Sequence, residues 1–251
     1  MDEKIKELRR IIDESSNIVF FGGAGVSTES NIPDFRSEKG LYNAKQQFGC
    51  SPEEMLSHTF FMNHTDTFYD YYKANLVYQD AKPNDAHKAL AALEQAGKLK
   101  AIITQNVDGL HQQAGSKVVY ELHGSAARNR CMRCGEQVSL DYVMDPEYCD
   151  GSIPKCPKCG GIIKPDVVLY EECLDELCME GAIKAISKAD VLIVGGTSLV
   201  VYPAAGMIRY FAGSHLVLIN KQPTQYDSIA DLVINESIGK VLKEACAGRT
   251  C

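Results

Sequence analysis

The sequence predicts an α/β protein built on a doubly wound, mostly parallel sheet, interrupted by two inserted segments. Three observations carry that prediction. Short, β-branched apolar runs recur without polar alternation, as strands buried on both faces do. Segments of helical periodicity lie between them. Residues 39–84 and 125–161 break the scheme, the first rich in aromatic and polar residues, the second in cysteine and turn residues.

The elements follow in order. In "MDEKIKELRRIIDESSN" the residues Ile5, Leu8, Ile11 and Ile12 fall at helical spacing, so an amphipathic helix on the core is expected. The first strand is "NIVFF" (17–21). The 39–84 segment, with "FYDYYKANLVYQ", reads as a helical insert. "NDAHKALAALEQAGK" is a helix with Asn84 or Asp85 as N-cap and Gly97 as its stop. "KAIIT" (100–104) and "VVYEL" (118–122) are strands. Residues 125–161 contain no long apolar run and read as a module held by something other than a core. A helix over 174–189 precedes the strand "VLIVG" (191–195). "YPAAGMIRYFAG" reads as a helix with Pro203 in its first turn, and "HLVLIN" (215–220) and "DLVIN" (231–235) complete the strands.

Bulk properties narrow the function. A formal net charge of -7 argues against a general binder of nucleic acid or of anionic membranes. The N-terminus is charged throughout and is not a signal peptide, and no apolar run is long enough to span a membrane. Without an export signal, ten cysteines do not imply a disulfide framework.

Their spacing points elsewhere. "CMRC" (131–134) and "CPKC" (156–159) match a zinc ribbon, with Cys131, Cys134, Cys156 and Cys159 as the four ligands. A filled four-sulfur site leaves no position for water, so the metal is expected to be structural. Cys149 reads as a spectator, and Cys50, Cys173, Cys178, Cys246 and Cys251 show no ligand spacing.

The remaining signals cluster at strand ends, where open α/β sheets place ligands. Gly23-x-Gly25 follows a strand, but the third fingerprint position is Thr28, so a phosphate cradle and a simple tight turn both stand. "TQNVDGLH" offers Gln105, Asn106 and Asp108, and also fits a polar turn capping a helix. His123 in "ELHGS" ends another strand, where a proton acceptor near neutral pH is useful. His58, His64, His87, His111 and His215 have no such setting and read as structural or surface residues. Gly195, Gly196, Thr197 and Ser198 repeat the strand–glycine–hydroxyl scheme, and Asn220 ends a further strand. Together these strand ends amount to a dinucleotide-sized site.

"GAGVSTESNIPDFRS", "TQNVDGLH", "ELHGS", the paired Cys-x-x-Cys motifs, "KPDVVLYEE" and "GTSLVVYPAA" occur in this order, and from about residue 11 to about residue 245 the chain resembles the sirtuins, NAD-dependent protein-lysine deacylases. The resemblance implies a single catalytic unit with a Rossmann-like part (1–38, 85–124 and 162–251), a helical insert (39–84) and a zinc module (125–161). It implies NAD as co-substrate and one structural zinc. Gly23, Ala24, Gly25, Thr28 and Arg36 would contact NAD, and Phe35 would shield the nicotinamide side. Ile32, Val107 and Asp108 would form the nicotinamide pocket, with Gln105 and Asn106 on the ribose. Thr197, Ser198, Asn220, Lys221 and Ile238 would line the phosphate and adenosine end. His123 would act as base, and Asn106 and Asp108 would share the catalytic work. The implied chemistry is attack of the acetyl-lysine oxygen on the ribose as nicotinamide leaves, then transfer of the acyl group to the ribose, giving O-acetyl-ADP-ribose and free lysine.

An acetylated peptide would add as a strand between Val168, Leu169 and Tyr170 on one side and Val200 and Val201 on the other. Neither direct nucleic-acid binding nor a membrane role is implied, and a cytoplasmic location is expected. The chain departs from the family pattern at Asn31, where glycine is usual, and at Tyr170-Glu171-Glu172, where Phe-Gly-Glu is usual. The Tyr-x-x-Arg pair of members that remove succinyl or malonyl groups is replaced by Tyr69-Asp70-Tyr71-Tyr72, so uncharged acyl groups are expected. Protein ADP-ribosylation from the same NAD site, a non-catalytic reader of acylated tails and a nucleic-acid-binding zinc ribbon are the alternatives.

Overall fold

A computed structural model describes residues 3–34 and 49–248 of the chain. Helix α1 (Glu3–Glu14) leads into β1 (Ile18–Gly22). The insert supplies α2 (Pro52–Met55), α3 (His58–Asn63) and α4 (Thr65–Asn75). Then come α5 (Asp85–Gln95), β2 (Leu99–Thr104), α6 (Leu110–Gln113) and β3 (Val119–Glu121). The small module holds β4 (Gly124–Cys131), β5 (Gln137–Ser139), α7 (Leu140–Met144), β6 (Cys149–Asp150), β7 (Ile153–Pro154) and β8 (Ile163–Val167). The chain returns through α8 (Glu176–Lys188), β9 (Val191–Gly195), β10 (His215–Ile219), β11 (Leu232–Ile234) and α9 (Ile238–Cys246).

All six expected strands pair in one parallel sheet of order β11-β10-β9-β1-β2-β3. Every residue of β1 and β9 is buried, which is why both read as unbroken apolar runs. Alternate residues of β1 serve two cores. Ile18 and Phe20 face α1, α5 and α9, while Val19 and Phe21 face α8 and the segment 204–210. The four apolar residues read from the α1 sequence are all buried. Helix α5 starts at Asn84 and ends at Gly97, which takes φ +72 and donates to the Glu94 carbonyl at 2.9 Å.

Three differences from the sequence expectations matter. The segment Ala204–Tyr210 forms a 3₁₀ helix rather than an α-helix. Residues 163–167, expected in the large part, pair antiparallel with β4 in the three-stranded sheet β5-β4-β8. The small domain also has a core. Phe61, Phe68, Tyr69 and Tyr72 of the insert pack with Val143, Ile163, Cys131 and Cys156 of the module. No run in the module is long enough to announce this, because half of that core comes from residues 55–76.

The register places the site. Gly22 pairs with Thr104 on one side and Gly195 on the other, so the carboxyl ends of β1, β2 and β9 finish level. The strand order reverses between β1 and β9, which is the switch point at which such sheets leave a crevice.

Candidate active site

Loops leaving these aligned ends line a cavity of about 290 Å³. The turn after β1 is forced close to the β9 turn. Gly25 N–H donates to the Gly196 carbonyl at 2.8 Å, and a Cβ on Gly25 would lie 2.7 Å from Gly196 Cα. Only glycine permits that approach, which answers why the turn is glycine-rich. Two single-turn 3₁₀ helices follow, Ala24–Val26 and Thr28–Ser30, and Asn31 closes them at φ +62. Asn tolerates the left-handed conformation, so the turn survives the replacement of glycine.

Ser27 is the hub of the polar cluster. Its hydroxyl donates to Asp108 Oδ2 at 2.6 Å and accepts from Asn106 Nδ2 at 3.1 Å. A hydroxyl has one proton, so the two bonds fix its direction. Asp108 Oδ1 accepts from the Leu110 N–H at 2.9 Å and so starts α6. Burial raises the Asp108 pKa, and the Ser27 and Leu110 donors pull it back down. Gln105 Nε2 donates to Thr197 Oγ1 at 3.1 Å, joining the β2 and β9 loops across the cavity.

His123 sits in the turn between β3 and β4, which Gly124 makes possible at φ +75. His123 Nδ1 is 2.9 Å from the Gln105 carbonyl. A carbonyl only accepts, so Nδ1 carries the proton and Nε2 is the basic nitrogen. The His123 carbonyl in turn accepts from Val168 N–H at 2.9 Å, tying the base to the segment after β8.

A family model described as Sir2 family matches residues 23–203. The chain is 66% identical over 241 residues to the NAD-dependent protein deacetylase of Clostridium acetobutylicum, covering 96% of this chain and 97% of that protein. It is 62% identical over 243 residues to the protein of the same name from Clostridium perfringens, covering 96% and 98%. The chain belongs to the Sir2 family. A solved structure of Sir2 with a p53 peptide and NAD+ superposes with a TM-score of 0.84 at 36% identity, covering 97% of this chain and 96% of that one. A structure of Sir2 bound to acetylated peptide gives 0.83 at 35% identity, covering 97% and 96%.

In this Sir2 chain, Gly23, Ala24, Gln105, Asn106, Val107, Asp108 and His123 line one part of the cavity, with Ile32 beside them. Val168, Leu169, Tyr170, Val201, Thr197 and Ser198 line another part, and Leu56 and Tyr78 of the insert are also in the lining. Other residues named from the sequence lie behind that surface. Gly25 is packed against Gly196, and Thr28 Oγ1 donates to the Gly25 carbonyl at 3.0 Å. Asn220 exchanges two 2.9 Å bonds with the Thr197 backbone and so orients it. Ile238 is buried in the core beneath Gly195, while Lys221 and Val200 are exposed. Phe35 and Arg36 lie outside the described residues.

Sequence reasoning missed Ser27. The available signal was a small hydroxyl residue inside the glycine turn, but its partners come from loops 79 and 81 residues away. The described part of the site also offers the co-substrate a backbone donor. Among the described residues the cavity lining contains no lysine or arginine, while Ala24 N–H lacks an intramolecular acceptor and is available to a phosphate oxygen.

The four motif cysteines converge as expected. Their sulfurs all lie within 4.8 Å of one another, with pairs at 3.4, 3.5 and 3.6 Å. A tetrahedral zinc with bonds of about 2.3 Å needs sulfurs about 3.8 Å apart, so the set fits that ion. Both turns close the same way: Gly135 donates to the Cys131 carbonyl at 3.0 Å and Gly160 to the Cys156 carbonyl at 2.9 Å, each glycine at positive φ. Cys149 stands apart, 3.3 Å from Lys73 Nζ.

Proposed function

We propose that the protein removes acetyl, or another uncharged acyl group, from lysine side chains of proteins, consuming NAD and releasing nicotinamide, O-acetyl-ADP-ribose and free lysine. The observation that carries this is His123. Its tautomer is set by Gln105, and it lies between the Asn106–Asp108–Ser27 cluster and the Val168–Tyr170 segment. NAD supplies the electrophilic ribose carbon and the nicotinamide leaving group. Asp108 and the Val107 backbone hold the carboxamide, and Gln105 and Asn106 orient the ribose. His123 Nε2 takes a proton from a ribose hydroxyl, a contribution typically worth ~10² to 10⁴ in rate.

The peptide docks as an added strand on the segment after β8. Tyr170 gives both backbone groups to the insert, donating to the Leu56 carbonyl and accepting from His58 N–H, each at 2.9 Å. Val168 C=O and Glu171 N–H have no intramolecular partner among the described residues, so backbone groups of this segment remain for an added strand. Main-chain pairing there gives affinity with little sequence choice. Among the described residues the lining has no lysine or arginine, which supports the uncharged acyl preference. Tyr69 and Tyr72 support it too, since both are fully buried in the small-domain core and do not line the cavity. The proposed compartment is the cytoplasm, where zinc-ligand thiols stay reduced; no described helix is long and apolar enough to cross a membrane.

The test is incubation with an acetyl-lysine peptide, with and without NAD, followed by mass spectrometry. Bare lysine with equimolar nicotinamide and O-acetyl-ADP-ribose is expected. An ADP-ribosylated protein with acetyl-lysine intact would establish ADP-ribose transfer instead. No turnover with NAD still bound would favour a reader.

A further inference from the structure

Helix α5 begins directly behind the 23–31 turn, and the two ends of its N-cap amide do different work. Asn84 Oδ1 accepts from the N–H groups of Ala86 at 2.9 Å and His87 at 3.4 Å, an ordinary helix cap. Asn84 Nδ2 points out of the helix. It donates to the Val26 carbonyl at 2.7 Å and to Ser30 Oγ at 3.0 Å. Those two acceptors bracket Ser27, the hydroxyl that holds Asp108 and Asn106.

The turn needs such an anchor. Internally it is held by three-residue 3₁₀ segments, whose hydrogen bonds are poorly aligned and few. Glu29 fastens its outer end, accepting from Ser237 Oγ at 2.8 Å and Gly239 N–H at 2.9 Å. Asn84 is the side-chain anchor at its inner end. The same helix start is braced from below. His87 Nδ1 accepts from Asn84 N–H at 3.3 Å, and its ring packs edge-on against His111 of α6, centroids 4.7 Å apart. Helix α6 itself begins on Asp108. The contacts therefore close a ring: Asn84 to Val26 and Ser30, Ser27 to Asp108, Asp108 to α6, His111 to His87, and back to Asn84.

We propose that Asn84 is a positioning residue for the nicotinamide pocket: its amide N–H groups fix the height of Ser27 and, through Ser27, the orientation of the Asp108 and Asn106 side chains. This rests on the deacetylase assignment, in which Asp108 holds the carboxamide.

The amide separates its two duties by substitution. Asn84→Asp keeps a capping oxygen, and aspartate caps helices about as well as asparagine, but it has no donor for Val26 or Ser30. Asn84→Ser is a neutral second variant that also caps and does not reach the turn. Ser30→Ala removes one acceptor and leaves the cap untouched. Two neutral hydrogen bonds are at stake, so Asn84→Asp and Asn84→Ser should weaken NAD binding and nicotinamide inhibition about five- to tenfold, and Ser30→Ala about two- to threefold. The peptide KM and the melting temperature should stay near wild type. A purely structural role would lower the melting temperature and the active fraction while leaving the NAD KM and the nicotinamide inhibition constant unchanged. Calorimetric titration of NAD into all four proteins reads the same effect without turnover. A wild-type protein that binds NAD without deacetylating would refute the deacetylase assignment, and the binding comparison would still decide the role of Asn84. NAD affinity and nicotinamide inhibition within twofold of wild type in both Asn84 variants would overturn the proposal.

Discussion

The large sheet and the small domain are held together by different means. The sheet buries apolar residues on both faces, with α1, α5 and α9 on one side and α8 and the 204–210 helix on the other. The strands of the small domain are two to eight residues long, and its single core is shared with the helical insert and with two of the four clustered cysteines. The reactive loops belong to the sheet. The small domain supplies one wall of the groove through the segment after β8 and through the Ala126 N–H bond to the Val107 carbonyl at 2.9 Å. Zinc in this chain therefore supports the wall of the site and takes no part in the chemistry.

The largest effect that would sharpen this contrast is loss of the metal. Cys156→Ala should abolish zinc binding and deacetylation together, since structural zinc sites contribute on the order of 10 kcal/mol to small modules. Zinc stoichiometry and turnover measured on one preparation check it; full activity without zinc would break the contrast. His123→Ala should do the reverse. Turnover should fall by ~10² to 10⁴, with the melting curve and NAD affinity unchanged. Turnover close to wild type in that variant would remove His123 from its role.

A third effect lies beside the sheet, where α5 meets α6. His87 and His111 are fully buried, and burial holds their pKa values at about 4 and about 3, with His87 adding to the lowering at His111. Glu29 acts on His87 in the opposite direction. The unfolded chain takes up these protons near pH ~6.5 and the folded chain does not, so stability is complete above that pH and falls as the pH drops toward 4. Each histidine contributes at most ~1.4 kcal/mol per pH unit in that window. Denaturation midpoints between pH 7 and 4.5 should show the slope, and His111→Phe should flatten it; an unchanged slope would remove the pair as its source. The smallest expected effect concerns the acyl group. Succinyl-lysine should be processed about tenfold or more slowly than acetyl-lysine, because its carboxylate would meet no lysine or arginine among the described lining residues. Equal rates would contradict that.

The two regions also differed in how legible they were. Strands buried on both faces announce themselves as apolar runs, so all six strands of the sheet and the loops at their ends were readable from local sequence. The cysteine pairs were readable because metal geometry fixes their spacing. The small-domain core was not, because Tyr69 and Ile163 meet only after ninety-odd residues of chain fold back, the tyrosine hydroxyl donating to the Ile163 carbonyl. Ser27 and the second duty of Asn84 were hidden for the same reason. A serine in a turn and an asparagine before a helix each have an adequate local explanation, and their partners lie on other loops.

The division between the two regions is tested most directly by hydrogen–deuterium exchange on wild-type protein stripped of zinc. Exchange should rise across residues 124–167 and the insert helices, while β1, β2, β9 and β10 stay protected. Uniform loss of protection, with the main sheet exchanging as fast as the zinc module, would show that the metal holds the whole molecule and would contradict the account.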